Sequence, residues 1–500
     1  MMDRPVKVSF VSLGCPKNLV DSEKMLGQLA EAGCLVGCDH DQADVIVVNT
    51  CGFLAESRAE AHAAIRDAAA TRRSHGRGRP RVVVAGCLVQ RDGQRLLHDV
   101  PGIDALVGVN NREDVVAAVL AGPRRTRASE SGPIDGQSAR PGQGATGGLS
   151  ASARAVRLPV APDWGSGSKA TLYLGEYHPS SRTWTDQARL RLTPRHYAYL
   201  RISEGCDQRC TFCTIPAIRG PMHSKTPEQI EAEARELIAD GAVELILIGQ
   251  DTTSYGGDLG ERGGLAALLR RLDRLEGVGW IRLMYVYPSV LTDEMIETIG
   301  SAGHVVPYVD IPLQHINDRI LRAMYRRVTR AETLALLDKL RQRIPGVFVR
   351  TTMITGFPGE SEAEFQELVD FVRDFKFDAL GVFPYSTEPE TPAGRMKDQL
   401  PPAVRRERAD ALMRVQQEVA FAKAAAMKGR RFEVLVDARA DAGPWIARHA
   451  GQAPEVDSVS LVEGEGLRPG RRLEVVCTGS RGYDLLARPA RVKLPVLQRA

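Results

Sequence analysis

Long apolar runs are missing from this chain. None approaches the roughly 20 residues that a membrane-spanning helix requires, so no membrane partner is expected. The first ten residues, MMDRPVKVSF, lack the extended apolar core of a secretory leader, and the expectation is a cytoplasmic protein. A large charge excess is also missing, since the net charge is only +4 over 500 residues. Ten Lys/Arg and five Asp/Glu lie between Pro123 and Pro194, so that stretch carries +5 and the rest is about neutral. A concentrated basic face, the footprint of a nucleic-acid binder, is therefore not evident. Cysteine is sparse, with nine residues. In a reducing compartment disulfides are rare, so these thiols read as metal ligands or core side chains. The length suggests about three domains.

What is present centres on EGCDQRCTFC, which spaces Cys206, Cys210 and Cys213 by three and two intervening residues. Three thiolates on one loop hold three irons of a 4Fe-4S cube and leave the fourth iron open. An open metal position can chelate a small molecule. A zinc knuckle is the competing reading. Zinc favours paired CxxC units and a fourth ligand, and no second unit accompanies this one.

Residues 1–122 contain three apolar, β-branched runs, VKVSFVSLG, DVIVVNT and RVVVAG, with helical segments near Asp21–Ala32 and Glu56–Arg72 between them. Short runs that are apolar throughout suit strands buried on both faces of a parallel sheet. The alternation predicts a doubly wound α/β domain. Each run ends at a cysteine: Cys15, Cys51 and Cys87, successive thiols lying 36 positions apart. Ligands collect at the carboxyl ends of strands in such sheets, so these thiols are expected to converge and hold a second cluster. Three core thiols are the alternative. Cys34 and Cys38 fall in a predicted strand, where a CxxxC pair cannot converge on one metal, and read as structural.

Residues 123–194 are rich in Gly, Ser, Ala, Pro and Arg, and are expected to form a mostly disordered linker. KATLYLGEY is a possible short strand within it. From 195 to 428, six strand-like runs alternate with helices, which predicts an incomplete (β/α)6 barrel. One helix is expected over Pro227–Ala239, with Thr226 as N-cap. Barrel chemistry sits at the carboxyl ends of the strands. The distinctive residues fall there: Gly249, Gln250 and Asp251, then Gln314 and His315, then Arg350 and Gly356. Each is a candidate for binding the cofactor, with Arg350 suited to a carboxylate and Gly356 to close backbone approach. His315 reads equally well as a satisfied core histidine. Residues 429–500 follow a long helix and show five short strands, a small all-β barrel, with Cys477 in its core.

The three blocks, in this order, resemble the methylthiotransferases of the radical S-adenosylmethionine (SAM) superfamily. SLGCPKNLVDSE, ISEGCDQRCTFCTIPAIRG, GQDTTSYG and QAPEVD are similar to the branch that modifies a ribosomal protein. The branch that modifies tRNA usually carries GCQMN, CTFCVVPYTRG and GQNVN at the first three places. The resemblance implies a three-cysteine N-terminal domain, a radical SAM core and a C-terminal TRAM barrel. It implies two 4Fe-4S clusters, on Cys15, Cys51 and Cys87 and on the catalytic Cys206, Cys210 and Cys213, with SAM as cofactor. The implied reaction is β-methylthiolation of an aspartyl residue of small-subunit ribosomal protein S-twelve. A reductase, flavodoxin or ferredoxin would donate electrons, and tRNA is the disfavoured alternative substrate.

Overall fold

The computed structural model describes residues 4–73, 78–121, 170–175, 184–260, 264–441 and 443–490. The N-terminal apolar runs become strands because helices cover both of their faces. β1 (Lys7–Ser12), β2 (Leu35–Val36), β3 (Val45–Thr50), β4 (Arg81–Gly86), β5 (Ala105–Val107) and β6 (Thr171–Tyr173) form one sheet, in the order β2-β1-β3-β4-β5-β6. Every pairing is parallel, and β3 is buried at all positions. The strand order reverses between β1 and β3, the place where a doubly wound sheet opens its ligand crevice. The first helix runs Pro16–Glu31 and so begins earlier than its apolar pattern indicates. Proline is pre-organised for the first helical position and has no N–H to satisfy. Cys34 and Cys38 bracket β2 and pack into the apolar clusters of this sheet.

The stretch 123–194 is not linker throughout. β6 pairs with β5 through Leu106 and Leu172, so the N-terminal sheet takes its last strand from beyond the Gly/Ser-rich region. Residues 184–194 also belong to the body. Trp184 is buried beneath Arg201 and Lys225, and Asp186 is ion-paired to both cations. Composition averaged over the segment hides these few anchoring side chains. The rest of the expected linker, 123–169 and 176–183, lies outside the described residues.

The central unit is an open parallel sheet of six strands in sequential order: β7 (Tyr197–Arg201), β10 (Glu244–Ile248), β11 (Trp280–Leu283), β12 (Val305–Asp310), β13 (Phe348–Thr355) and β14 (Ala379–Pro384). A small ribbon, β8 (Ser203–Glu204) with β9 (His223–Ser224), brackets the cysteine loop. The helix Pro227–Ala239 has the expected start. Thr226 and Gln229 form a reciprocal capping box, which satisfies two otherwise free N–H groups.

After the helix Pro402–Ala426, five strands close a small barrel: β15 (Arg431–Arg439), β16 (Trp445–His449), β17 (Ser460–Val462), β18 (Arg472–Arg481) and β19 (Asp484–Pro489). Cys477 is buried in it against Ala424 and Leu485. This barrel is locked to the larger one by buried charge. Glu244 accepts from Arg282 at 2.7 Å and from Arg448 at 2.6 Å. Among the described residues no helix is long and apolar enough to cross a membrane.

Candidate functional site

The loops that carry the N-terminal thiols lie side by side because their strands are in register. Ser12 lies beside Asn49, and Asn49 beside Ala85, so Cys15, Cys51 and Cys87 emerge two or three residues beyond aligned positions. Glycine brings the loops together. A Cβ on Gly14, whose φ is +94°, would stand 2.8 Å from the Cys51 Cβ, and one on Gly52 would meet the Cys87 backbone at 2.8 Å. Burial raises the Cys51 thiol pKa and pushes Cys87 to about 12. A coordinated metal reverses that penalty, since a ligating thiol is deprotonated.

The second triad sits on the loop between β8 and the helix Ile215–Arg219. Gly205, at φ +77°, lets the loop pass against Pro221, whose oxygen would be 2.1 Å from any Cβ there. Cys206 N–H donates to Gly220 O at 3.2 Å, and Cys213 N–H to Cys210 O at 3.1 Å. Burial pushes Cys206 and Cys213 to about 12. Cys210 faces Arg326, whose Nη1 is 3.7 Å from its sulfur, and the Tyr287 hydroxyl at 3.9 Å. Phe212 packs on the cluster of Ile320, Met324 and Phe357, which anchors the loop. Among the described residues no three His, Cys, Asp or Glu side chains close to the spacing of a single metal ion. Two sets of three soft thiol donors suit iron–sulfur clusters.

A buried charge network joins the two triads. Arg219, six residues after Cys213, donates to the Cys87 sulfur at 3.1 Å, to Asp21 at 2.9 Å and to Glu204 at 3.1 Å. Arg201 spans Asp21, Glu204 and Asp186, and Arg112 adds a third cation to Asp21. Lys17, in the first turn after Cys15, lies over the Tyr285 ring with Nζ 2.9 Å from its centroid. Burial lowers its pKa to about 8, against the pull of Cys15 and Asp310.

The structure separates the expected barrel-mouth residues into two groups. Gly249 leaves no room for a Cβ beside Ser203 Oγ, which would be 2.6 Å away. Gln250 donates to Glu204 at 2.5 Å, and its Oε1 is buried without a donor, an acceptor suited to a ligand amino group. Gln314 holds the left-handed backbone, at φ +76°, and bridges to β13 at Met353. The other residues are engaged internally. Asp251 accepts from Gln208, Thr253 and Ser254, which ties its own loop. His315 accepts the Asn317 N–H at Nδ1, so its Nε2 carries the proton and faces Glu360 at 3.3 Å. Both of its ring nitrogens are thus engaged within the chain, and the ring is fully buried. Arg350 pairs with Asp310 at 2.8 Å and with Asp457 at 3.4 Å, so its carboxylate partners come from this chain. Gly356 permits contact with Arg405, and its N–H donates to Glu360; that glycine supports packing.

Three family models match in order: Uncharacterized protein family UPF0004 over residues 7–108, the Radical SAM superfamily over 200–372 and the TRAM domain over 429–489. The ribosomal protein uS12 methylthiotransferase RimO of Anaeromyxobacter sp. (strain K) is 41% identical, over 98% of this chain and 96% of its own length. The chain belongs to the RimO family. The RimO of Symbiobacterium thermophilum is likewise 41% identical, over 97% of this chain and 91% of its own. A radical SAM methyltransferase, TsrM from Kitasatospora setae with tryptophan and a SAM analogue bound, has a like fold at 16% identity. Its TM-score is 0.50, covering 78% of this chain and 75% of that one.

Sequence reasoning missed Lys17, Arg219, Glu204 and Glu360 in this RimO-family chain. The structure shows what distinguishes the first. The helix Pro16–Glu31 buries Lys17, Asn18, Asp21, Ser22 and Glu23, too many polar groups for a helix whose inner face meets only apolar core.

Proposed function

We propose that this chain is a radical SAM methylthiotransferase that adds a methylthio group to the β-carbon of one aspartyl side chain of ribosomal protein uS12. The observation that carries the mechanism is the Arg219 bridge. It joins the Cys15/Cys51/Cys87 site to the loop bearing Cys206, Cys210 and Cys213 through one guanidinium. The relatives' name supports the substrate.

An aspartate β-C–H is too weakly acidic for any side-chain base, so a cofactor supplies the reactivity. Cys206, Cys210 and Cys213 would hold one 4Fe-4S cluster, which would supply the radical chemistry of SAM, and Cys15, Cys51 and Cys87 would hold a second, which would supply the sulfur-transfer chemistry. This chain's residues set the geometry around those groups. Arg219 and Arg201 clamp Asp21 and Glu204, and so fix the N-terminal helix against the barrel mouth. Glu204 in turn orients Gln250, whose free Oε1 would accept from the SAM amino group. Cys34, Cys38 and Cys477 hold no metal. The functional units would be 4–121 with β6, 184–428 and 429–490. A small reductase, flavodoxin or ferredoxin would serve as electron donor, and the protein would act in the cytoplasm, on uS12 alone or in its ribosomal particle.

The test supplies reconstituted enzyme, SAM, reductant and sulfide with purified uS12 or with unmodified tRNA. A methylthio mass gain on one aspartate of uS12 is the expected result. Methylthioadenosine in the tRNA digest with no gain on the protein overturns it.

A further inference from the structure

Among the described residues, the Lys17 ammonium is buried without a direct ion-pair partner. It is 7% exposed, and among the described residues its Nζ has no hydrogen-bond or ion-pair partner, only the Tyr285 ring. Burying an ammonium without a partner is costly. The carboxylate that attracts it most, Asp310, is already engaged. One Asp310 oxygen accepts from Arg350 at 2.8 Å and the other from the Tyr285 N–H at 3.0 Å. Tyr285 itself is held in the left-handed region, at φ +61°, which presents its ring beneath the ammonium. A non-glycine residue held there costs on the order of 1–3 kcal/mol and tends to occur where a site is pre-organised.

A second feature points the same way. Lys17 lies in the first turn of the helix Pro16–Glu31, and the N-cap residue, Cys15, makes no side-chain capping bond. The free N–H groups of that turn add positive potential beside the ammonium. Ammonium, helix end and aromatic ring together make a receptor for an anion. It is set between the N-terminal thiols, two residues from Cys15, and the barrel mouth at the end of β11.

We infer that Lys17 binds the side-chain carboxylate of the acceptor aspartate and is the residue that selects aspartate over its neutral analogue. This rests on the reading of the chain as a uS12 aspartate methylthiotransferase. Both carboxylates in that reaction, the substrate's and that of SAM, share the chemistry. The position of Lys17 on the N-terminal side favours the substrate, because the methylthio group is delivered there. Tyr285 supplies an apolar wall and a π face for the ammonium, which pins Lys17 and leaves its hydrogen-bonding capacity for a carboxylate.

The test uses full-length reconstituted enzyme with uS12 carrying either its acceptor aspartate or asparagine at that position. Wild type should favour the aspartate form. Lys17→Met should lose roughly 10- to 100-fold in kcat/KM on aspartate, the size of a hydrogen bond to a charged group. The loss should fall mainly in KM, with little change on asparagine, so the preference collapses. Iron content and substrate-free 5′-deoxyadenosine formation should stay as in wild type, and Lys17→Arg should recover part of the preference. An unchanged preference in Lys17→Met overturns the inference. So does a raised KM for SAM with the preference intact, which assigns Lys17 to the SAM carboxylate. Should Lys17→Met fail to load iron, wild type alone decides: equal binding of the aspartate and asparagine forms overturns the inference. A wild type that modifies neither form but modifies tRNA overturns the proposed function instead.

Discussion

Arg219→Ala tests whether buried charge, rather than apolar contact, holds the two thiol sites in register. Arg219 donates to Asp21 at 2.9 Å, Glu204 at 3.1 Å and Cys87 at 3.1 Å. Its removal does not strip those partners. Asp21 keeps Arg201 and Arg112, and Glu204 keeps Arg201 and Gln250. The loss should therefore sit at the low end for a broken buried pair, about 3 kcal/mol. At roughly 2–4 °C per kcal/mol for units of this size, the transition that carries the seam should fall by about 6–12 °C. Anaerobic thermal melting of reconstituted protein, read by circular dichroism and by iron–sulfur absorbance, measures it. Arg219→Lys keeps the charge but not the fork, and should lose less. The pH dependence provides a second check. Burial pushes the Asp21 carboxyl up, but Arg201, Arg219 and Arg112 outweigh burial and hold it at about 2. Its folded value lies below the unfolded one, about 3.9. Its contribution is therefore complete above about pH 4 and is lost as the pH falls towards 2. The deficit of Arg219→Ala should be largest at neutral pH and should shrink across that window. An unchanged melting temperature, or a deficit that persists undiminished in acid, would refute the reasoning.

Iron analysis should give about eight irons per reconstituted chain. Replacing Cys206, Cys210 and Cys213 by alanine should halve the iron and abolish SAM cleavage. The same change at Cys15, Cys51 and Cys87 should halve the iron yet leave some 5′-deoxyadenosine formation, and full iron there would disprove the N-terminal site. Replacing Cys34, Cys38 and Cys477 with serine should leave the iron unchanged and cost about 1–3 kcal/mol at each buried site; iron assay and melting decide between ligand and core thiol. Deleting residues 132–168 should preserve both clusters, because loop length has little thermodynamic weight, and an iron-free product would show that the segment packs into the body.

The two sets of cysteines stood out in the sequence for different reasons: Cys206, Cys210 and Cys213 share one short loop, whereas Cys15, Cys51 and Cys87 each follow a strand, and parallel register sets those strand ends side by side. The Pro227–Ala239 helix was equally legible, since its capping box is local. Arg350 and His315 were not, because their partners are distant in sequence. Nothing near Arg350 announces Asp457, which arrives from the small barrel, or predicts that Glu360 engages His315, Gly356 and Arg408 together. Trp184 and Asp186 were hidden by the composition around them. Lys17 stood beside a recognised cysteine, yet its burial depends on a neighbouring unit that packs across the helix.

The same long-range pairing changes how the charge of the small barrel should be read. From Arg430 to Ala487 the chain has eight Arg and nine Asp/Glu. Some of these charges are spent inside. Arg448 is paired with Glu244 and Asp437, and Asp457 is paired with Arg350 and accepts the Tyr308 hydroxyl at 2.8 Å. Removing Arg448 leaves seven Arg, and removing Asp437 and Asp457 leaves seven acids, so the outward charge is balanced. A surface that grips phosphates draws its affinity from released counterions and weakens steeply with salt. A balanced surface has little of that term to lose. Asp437 and Asp457 belong to the joint between the barrels, so the sequence count overstates the negative charge open to a partner. Discrimination between uS12 and RNA then falls to the carboxylate contact inferred for Lys17 rather than to the charge of the small barrel.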